Sequence, residues 1–366
     1  MKELIDKLEE TRSLSRDEWI RIICGRTPDI EEYLFERARK IRIRHYGHGV
    51  YIRGLIEFTN YCANDCYYCG IRKSNPRAER YRLTKEQILS CCEHGYELGF
   101  RTFVLQGGED GWFTDERMID IVSSIRSGWP DCAITLSIGE RSCESYRRLY
   151  EAGANRYLLR HETFSARHYA KLHPPSLSSA NRQQCLWNLK DIGYQVGTGF
   201  MVGSPYQTAE NLADDMIFLK ELNPQMVGIG PFIPHHDTPF ADKAAGTAEL
   251  TTFLLGLIRL LLPRVLLPAT TALGTIAADG REKGILAGAN VVMPNLSPPQ
   301  VREKYLLYDN KLCTGDEAAE SLKDLDSRMK KIGYYIEVNR GDSLNTDSEK
   351  SNTEKSNTGK SNTGNM

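Results

Sequence analysis

The sequence predicts an α/β protein whose parallel sheet closes into a (βα)8 TIM-type barrel, with an N-terminal helical extension and a disordered C-terminal tail. Three observations predict it. Short β-branched apolar runs alternate with longer amphipathic stretches through the middle of the chain, polar and Gly-rich clusters fall where the runs end, and both chain ends differ in composition from the middle. The same alternation also allows an open doubly wound sheet.

Residues 1–50 form the extension. Leu4, Leu8, Trp19, Ile22, Ile23, Tyr33 and Leu34 recur at helical spacing among charges, and Ser15 before Asp17 and Glu18, like Pro28 before Asp29, marks a helix start. The barrel is assigned to residues 51–310. Its strands are read at 54–60, 102–106, 133–138, 155–159, 195–202, 226–230, 265–269 and 290–293, with helices at 85–98, 116–126, 143–152, 180–192, 209–222 and 249–262 between them. At the strand ends stand Thr59-Asn60, Gln106-Gly107-Gly108-Glu109, Ser137, Arg160-His161-Glu162-Thr163, Gly203, Thr270-Thr271 and Asn295, where a barrel enzyme builds its site. Residues 311–342 are expected to be a C-terminal helical segment. Residues 343–366 are Ser/Asn/Thr/Lys-rich, repeat Lys-Ser-Asn-Thr from Lys350, Lys355 and Lys360, and read as a disordered low-complexity tail.

With 47 Lys+Arg against 48 Asp+Glu, the net charge of −1 over 366 residues points to neither a nucleic acid nor a membrane as partner, so a small substrate is expected. The first ten residues are charged and no window approaches eighteen apolar residues, which predicts a cytoplasmic location. Ten cysteines in a reducing compartment then read as metal ligands or core residues rather than disulfides. Cys24, Cys91, Cys92, Cys132, Cys143 and Cys185, in or beside predicted helices and strands, are expected in the core.

Cys62, Cys66 and Cys69 form one tight cluster directly after the first strand, with Tyr68 before the last thiol, where it is expected to contact the cofactor. Thiolates select iron-sulfur clusters, zinc or copper(I). A structural zinc site needs four ligands, and here the fourth would have to come from His45, His48 or another distant residue. A 4Fe-4S cube on three cysteines instead leaves one iron open to chelate S-adenosylmethionine (SAM). Electron donation into the sulfonium then releases a 5′-deoxyadenosyl radical, which the protein must position and keep from water.

SAM presents an amino group, a carboxylate, a sulfonium, a ribose and an adenine, each needing a different partner. Gly107, Gly108 and Glu109 end the second strand with backbone that can approach the ammonium closely. Glu162 is placed to accept from the ribose hydroxyls or the ammonium, Arg182 to pair with the carboxylate, Ser137 to bind a ribose hydroxyl, and Met201 or Met293 to pack on adenine. For each alone, an ordinary surface or core role is the competing reading.

Longer strings sharpen this. Ile56-Glu57-Phe58-Thr59-Asn60 leading into the cysteine motif, Val104-Leu105-Gln106, the stretch from Tyr157 to Thr163, the stretch from Val227 to His235, Pro268-Ala269-Thr270-Thr271-Ala272 and the stretch from Gly288 to Asn295 make the sequence resemble the HydE family of radical SAM maturases of FeFe-hydrogenases. The resemblance covers about Ile52 to Tyr308. It implies a complete (βα)8 barrel, with cluster ligands Cys62, Cys66 and Cys69, SAM contacts Ser137, Glu162 and Arg182, anion-lining residues Arg156, Arg160, Thr270 and Thr271, and substrate-side Tyr305 and Tyr308. It further implies radical attack at sulfur on an iron-cyanide-carbonyl precursor bearing cysteine, in concert with other hydrogenase maturases and an electron donor such as flavodoxin or ferredoxin. Some members carry a second cluster on C-terminal cysteines. Here Cys313 has no cysteine after it, so one 4Fe-4S cluster is expected, and Gly107 stands where some relatives have serine.

Methylornithine synthase and biotin synthase share the loop and topology. The Arg-His-Glu-Thr and Pro-Ala-Thr-Thr strings favour HydE, and biotin synthase needs a second cluster inside the barrel, for which only Cys132 is a candidate. A non-enzymatic alternative is an iron-sulfur scaffold or carrier.

Overall fold

The computed structural model describes residues 1–312 and 319–345. Of the three N-terminal helices, the second and third begin where the sequence places them. Ser15 caps the helix Arg16–Cys24 through a reciprocal capping box with Glu18, and Pro28 opens Pro28–Tyr46 at a position where its missing N–H costs nothing. The helix Arg16–Cys24 lies on Ala209–Leu222, burying Trp19, Ile22 and Ile23. Pro28–Tyr46 lies on Ala248–Leu261, where Gly256 leaves room for Leu34.

The sheet is parallel and closes. Gly54–Thr59, Thr102–Gly107, Ala133–Ser137, Arg156–Leu158, Gln195–Thr198 and Met226–Val227 pair in that order. Single bridges carry the ring on from Met226 to Leu266 and from Pro268 to Val291, and Leu55 to Asn295 returns it to the first strand. Residues 265–269 and 290–293 therefore complete an eight-membered barrel, but Pro268 and Pro294 lack the N–H needed to extend their ladders.

The run 195–202 is not one strand. It breaks between Gln195–Thr198 and Met201–Val202, because Gly199 takes φ +153° and packs so closely on Gly228 that a Cβ would overlap the Gly228 carbonyl oxygen. The second half, Met201–Val202, instead pairs in parallel with Gly230–Pro231.

The C-terminal expectation is corrected. After the helix Leu322–Lys331 the chain forms a strand, Tyr335–Glu337, which pairs in parallel with Gly49–Ile52 at the base, and Gly49–Ile52 pairs in turn with Val291–Val292. Order also runs past residue 342. Ser343 is buried with its hydroxyl on the Arg264 carbonyl, and the Asn345 side chain donates to Asn223. Cys313 and residues 346–366, on which the single-cluster and disordered-tail expectations rest, lie outside the described residues. Among the described residues no helix is long and apolar enough to cross a membrane.

This base also claims Arg156. Its guanidinium donates to Thr102 Oγ1 (3.0 Å), the Arg340 carbonyl (2.9 Å) and Asp342 (2.7 Å). Burial raises the Asp342 carboxyl, but Arg156 and Gln195 outweigh it and hold it below the usual carboxylate range. A depressed carboxylate contributes stability that is present above its unfolded-state pKa and lost as pH falls through the folded-state value. Asp342→Asn is therefore expected to remove part of the acid limb of the stability–pH profile. Because Asp342 is 43% exposed, the loss should be about 1 kcal/mol rather than that of a fully buried pair. Urea melts of both proteins at neutral and acidic pH check this.

Candidate active site

The cysteine loop leaves the first strand under tight restraint. Asn60 donates to the carbonyls of Glu79 and Lys304 and accepts from Tyr81 N–H, and Arg80 gathers the carbonyls of Asn60, Ile71 and Arg72. Ala63 N–H donates to the Glu109 carbonyl at 2.8 Å, tying the loop to the end of the second strand. Gly108 must be glycine, since a Cβ there would overlap the Tyr61 carbonyl oxygen and press on Cys62.

All three thiols line one cavity of about 320 Å3 at the top of the barrel. Burial pushes them up, Cys66 to about 12, with the neighbouring cysteines adding to the shift at Cys66 and Cys69. Three clustered thiols that resist ionisation on their own become good ligands only with a cationic metal centre among them. His45 and His48 cannot supply a fourth zinc ligand, because both sit at the base: His48 Nδ1 faces the Gly333 carbonyl, and His45 lies beside Arg12 and Arg264. Among the described residues, His235, His236 and Asp309 bring ligand atoms within 4.8 Å of one another. The two imidazoles stack at 18°, and their Nδ1 atoms are already engaged, that of His236 with Asp309 at 2.6 Å and that of His235 with the Asp237 N–H at 3.1 Å.

The proposed SAM residues Tyr68, Gly107, Gly108, Glu109, Ser137, Glu162, Arg182, Met201 and Met293 all line this same cavity. Arg182 is largely buried and already engaged. Its Nη1 lies 2.8 Å from Glu140 and 3.6 Å from Glu109, and its Nε donates to the Arg160 carbonyl. Burial raises the Glu109 carboxyl and Arg182 opposes that shift. Tyr68 is oriented by His173. Burial lowers His173 to about 3, its Nδ1–H donates to the Tyr169 carbonyl, and Nε2 is left to accept from the Tyr68 hydroxyl.

On the substrate side, Arg160, Thr270, Thr271, Tyr305 and Tyr308 line the cavity. Arg156 does not, which corrects the expectation for that residue. It begins the strand that Arg160 follows, and four extended residues carry it about 13 Å down to the Asp342 site. The alternative reading of Arg160 is also realised in part, as its Nη2 stands 3.3 Å from Glu162 Oε2. Yet both of those atoms, and Arg160 Nε, are shut from water without a hydrogen bond. Such orphaned donors and acceptors beside close-approach glycines and three thiols fit a charged ligand and a cluster.

Two charged cavity residues, Glu57 and Lys311, were given no site role by the sequence reading. Lys311 donates to Glu57 Oε1 at 2.7 Å, and Asn295 donates to Oε2 at 2.9 Å. Glu57 carried a signal, being a carboxylate in a run that otherwise reads as buried strand, whereas nothing local marks Lys311. The remaining cysteines divide. Cys91, Cys92, Cys132 and Cys185 are buried as expected, but Cys24 and Cys143 are exposed, at the last and first residues of their helices. Cys132 lies against the Phe100 carbonyl, outside the cavity.

A three-cysteine loop at the mouth of a parallel barrel, with SAM-sized polar partners on successive strand ends, defines a radical SAM enzyme, and residues 56–219 match the radical SAM superfamily. The chain is 45% identical over 312 residues to the [FeFe] hydrogenase maturase subunit HydE of Thermotoga maritima, covering 85% of this chain and 88% of that one. It belongs to the HydE family. It is also 28% identical to the 3-methylornithine synthase of Methanosarcina acetivorans, over 90% of this chain and 92% of the relative. Among solved structures, methylornithine synthase superposes with a TM-score of 0.81 at 26% identity, covering 91% of this chain and 97% of that one. The maturase HydG superposes at 0.77 with 20% identity over 91% and 74%, a likeness of fold.

Proposed function

We propose that this enzyme acts in assembly of the diiron centre of FeFe-hydrogenase on a small, anionic, thiol-bearing iron-cyanide-carbonyl complex carrying cysteine. It works alongside other maturases and draws electrons from a flavodoxin- or ferredoxin-type donor. Cys62, Cys66 and Cys69 hold a single 4Fe-4S cluster, and Glu109, Ser137, Glu162 and Arg182 hold SAM. When bound, these groups supply a 5′-deoxyadenosyl radical by one-electron reductive cleavage of SAM to methionine.

The observation that carries the reading is the convergence of Arg160, Thr270, Thr271, Tyr305 and Tyr308 on the cavity that the three thiols line. Guanidinium and hydroxyl donors in a partly enclosed space favour an anionic substrate. The tyrosine and methionine side chains bound the apolar part of the space and exclude water from the reacting sulfur. Radical attack at that sulfur joins it to the adenosyl carbon, and the unpaired electron passes to the iron that the sulfur ligates, reducing it by one electron.

The test uses anaerobically reconstituted protein with SAM, dithionite and a synthetic cysteine-bound iron dicarbonyl cyanide complex. Mass spectrometry is expected to find an adenosyl group on the substrate sulfur, with free 5′-deoxyadenosine suppressed in proportion. Undiminished release of 5′-deoxyadenosine without an adduct would count against this substrate class.

A further inference from the structure

Arg160 and Glu162 line the cavity, but the residue between them turns the other way. His161 is 1% exposed and lies between the barrel and the helix Ala209–Leu222, its ring edge-on to Phe218 at 5.0 Å. Its Nδ1 stands 2.9 Å from Thr198 Oγ1 and its Nε2 3.3 Å from Oδ1 of the fully buried Asp215. The same Asp215 oxygen accepts the Phe164 N–H at 2.6 Å. One carboxylate thus grips the chain on both sides of Glu162.

Glu162 itself has φ +63°, the left-handed region that a side chain disfavours, and its N–H donates to the Gly199 carbonyl at 3.1 Å. Such a conformation persists only where its surroundings over-determine it. An apolar pair of equal volume would fill the gap behind the strand without desolvating a charge. What the carboxylate adds is direction, through a hydrogen bond from the Phe164 amide and a 3.3 Å polar contact with His161 Nε2 that falls short of hydrogen-bond geometry.

We propose that Asp215, acting through His161 and the Phe164 amide, is a positioning residue for SAM that holds the turn 161–164 so that Glu162 points into the cavity. The inference rests on the reading of Glu162 as a SAM contact. Asp215 lies outside the cavity.

The experiment measures equilibrium binding of radiolabelled SAM to the full-length, cluster-reconstituted protein. Asp215→Ala is expected to weaken binding on the order of 10-fold, with iron content and the SAM-free electron paramagnetic resonance spectrum unchanged. Asp215→Asn keeps an acceptor for the Phe164 amide and should fall between. In a Glu162→Ala background Asp215→Ala should add nothing, because both changes act through one side chain. His161→Phe, which preserves the aromatic packing, should reproduce the weakening and decides the matter if Asp215→Ala does not fold. Unchanged SAM affinity in these variants, or equal weakening with and without Glu162, overturns the proposal. Wild-type affinity in Glu162→Ala alone overturns the reading of that residue, and the inference with it.

Discussion

Cys66→Ala is expected to yield a folded protein that neither holds a complete cluster nor cleaves SAM. The side chain is half-buried at the cavity wall, so its loss removes little packing and should cost about 1 kcal/mol of stability. The chemistry suffers far more. Cys62 and Cys69 cannot anchor the cube alone, and among the described residues no other thiol lines the cavity. The loss should exceed the roughly 10- to 100-fold that substitutions behind a metal ligand cause. Iron analysis and the SAM-dependent spectral change after reconstitution read this directly. A variant with full iron content and wild-type SAM response would remove Cys66 from the ligand set.

Arg182→Met should produce the second largest effect, with a distinctive pH signature. The substitution keeps most of the volume but leaves Glu140 and Glu109 facing each other without their shared cation. Stranding partly buried carboxylates should destabilise the fold by about 2–3 kcal/mol, somewhat below the cost of breaking a fully buried pair. Glu109 is already raised by burial, and without Arg182 it rises further. A carboxyl raised above its unfolded value is penalised only where it must ionise, so the deficit should shrink at acid pH and widen as pH climbs through the carboxylate range. Adding Glu140→Gln should restore part of the stability. It should not restore SAM affinity, because the guanidinium facing the cavity is still missing. Thermal melts across pH, paired with SAM binding, separate the two effects.

The two substitutions also differ in how visible their targets were. Cys62, Cys66 and Cys69 lie within eight residues, so their joint role could be read from spacing alone, and the glycines and Glu109 were marked by ending a strand whose alternation was plain. Arg182 was assigned to the SAM carboxylate, but its bonds to Glu140, Glu109 and the Arg160 carbonyl come from three other segments. Arg156 and Arg160 were both assigned to the anion-lining interior by the resemblance. Arg156 begins the strand Arg156–Leu158 and Arg160 follows its end, so the rule that barrel sites form at C-terminal strand ends separates them, and it was the family resemblance alone that put both in one set.

What the sequence by itself determined is the alternation that makes a barrel and the cysteine loop that makes it a radical SAM enzyme. Both are written in short-range periodicity and spacing, which a local reading recovers. Only the tertiary structure decided which charges meet. Lys311 reaches Glu57 across 254 positions, Asp215 reaches back to the Phe164 amide across 51, and the strand Tyr335–Glu337 finds Gly49–Ile52 at the base. Such pairings are settled by closure of the whole ring, since a buried charge takes whichever partner the packed chain brings within reach.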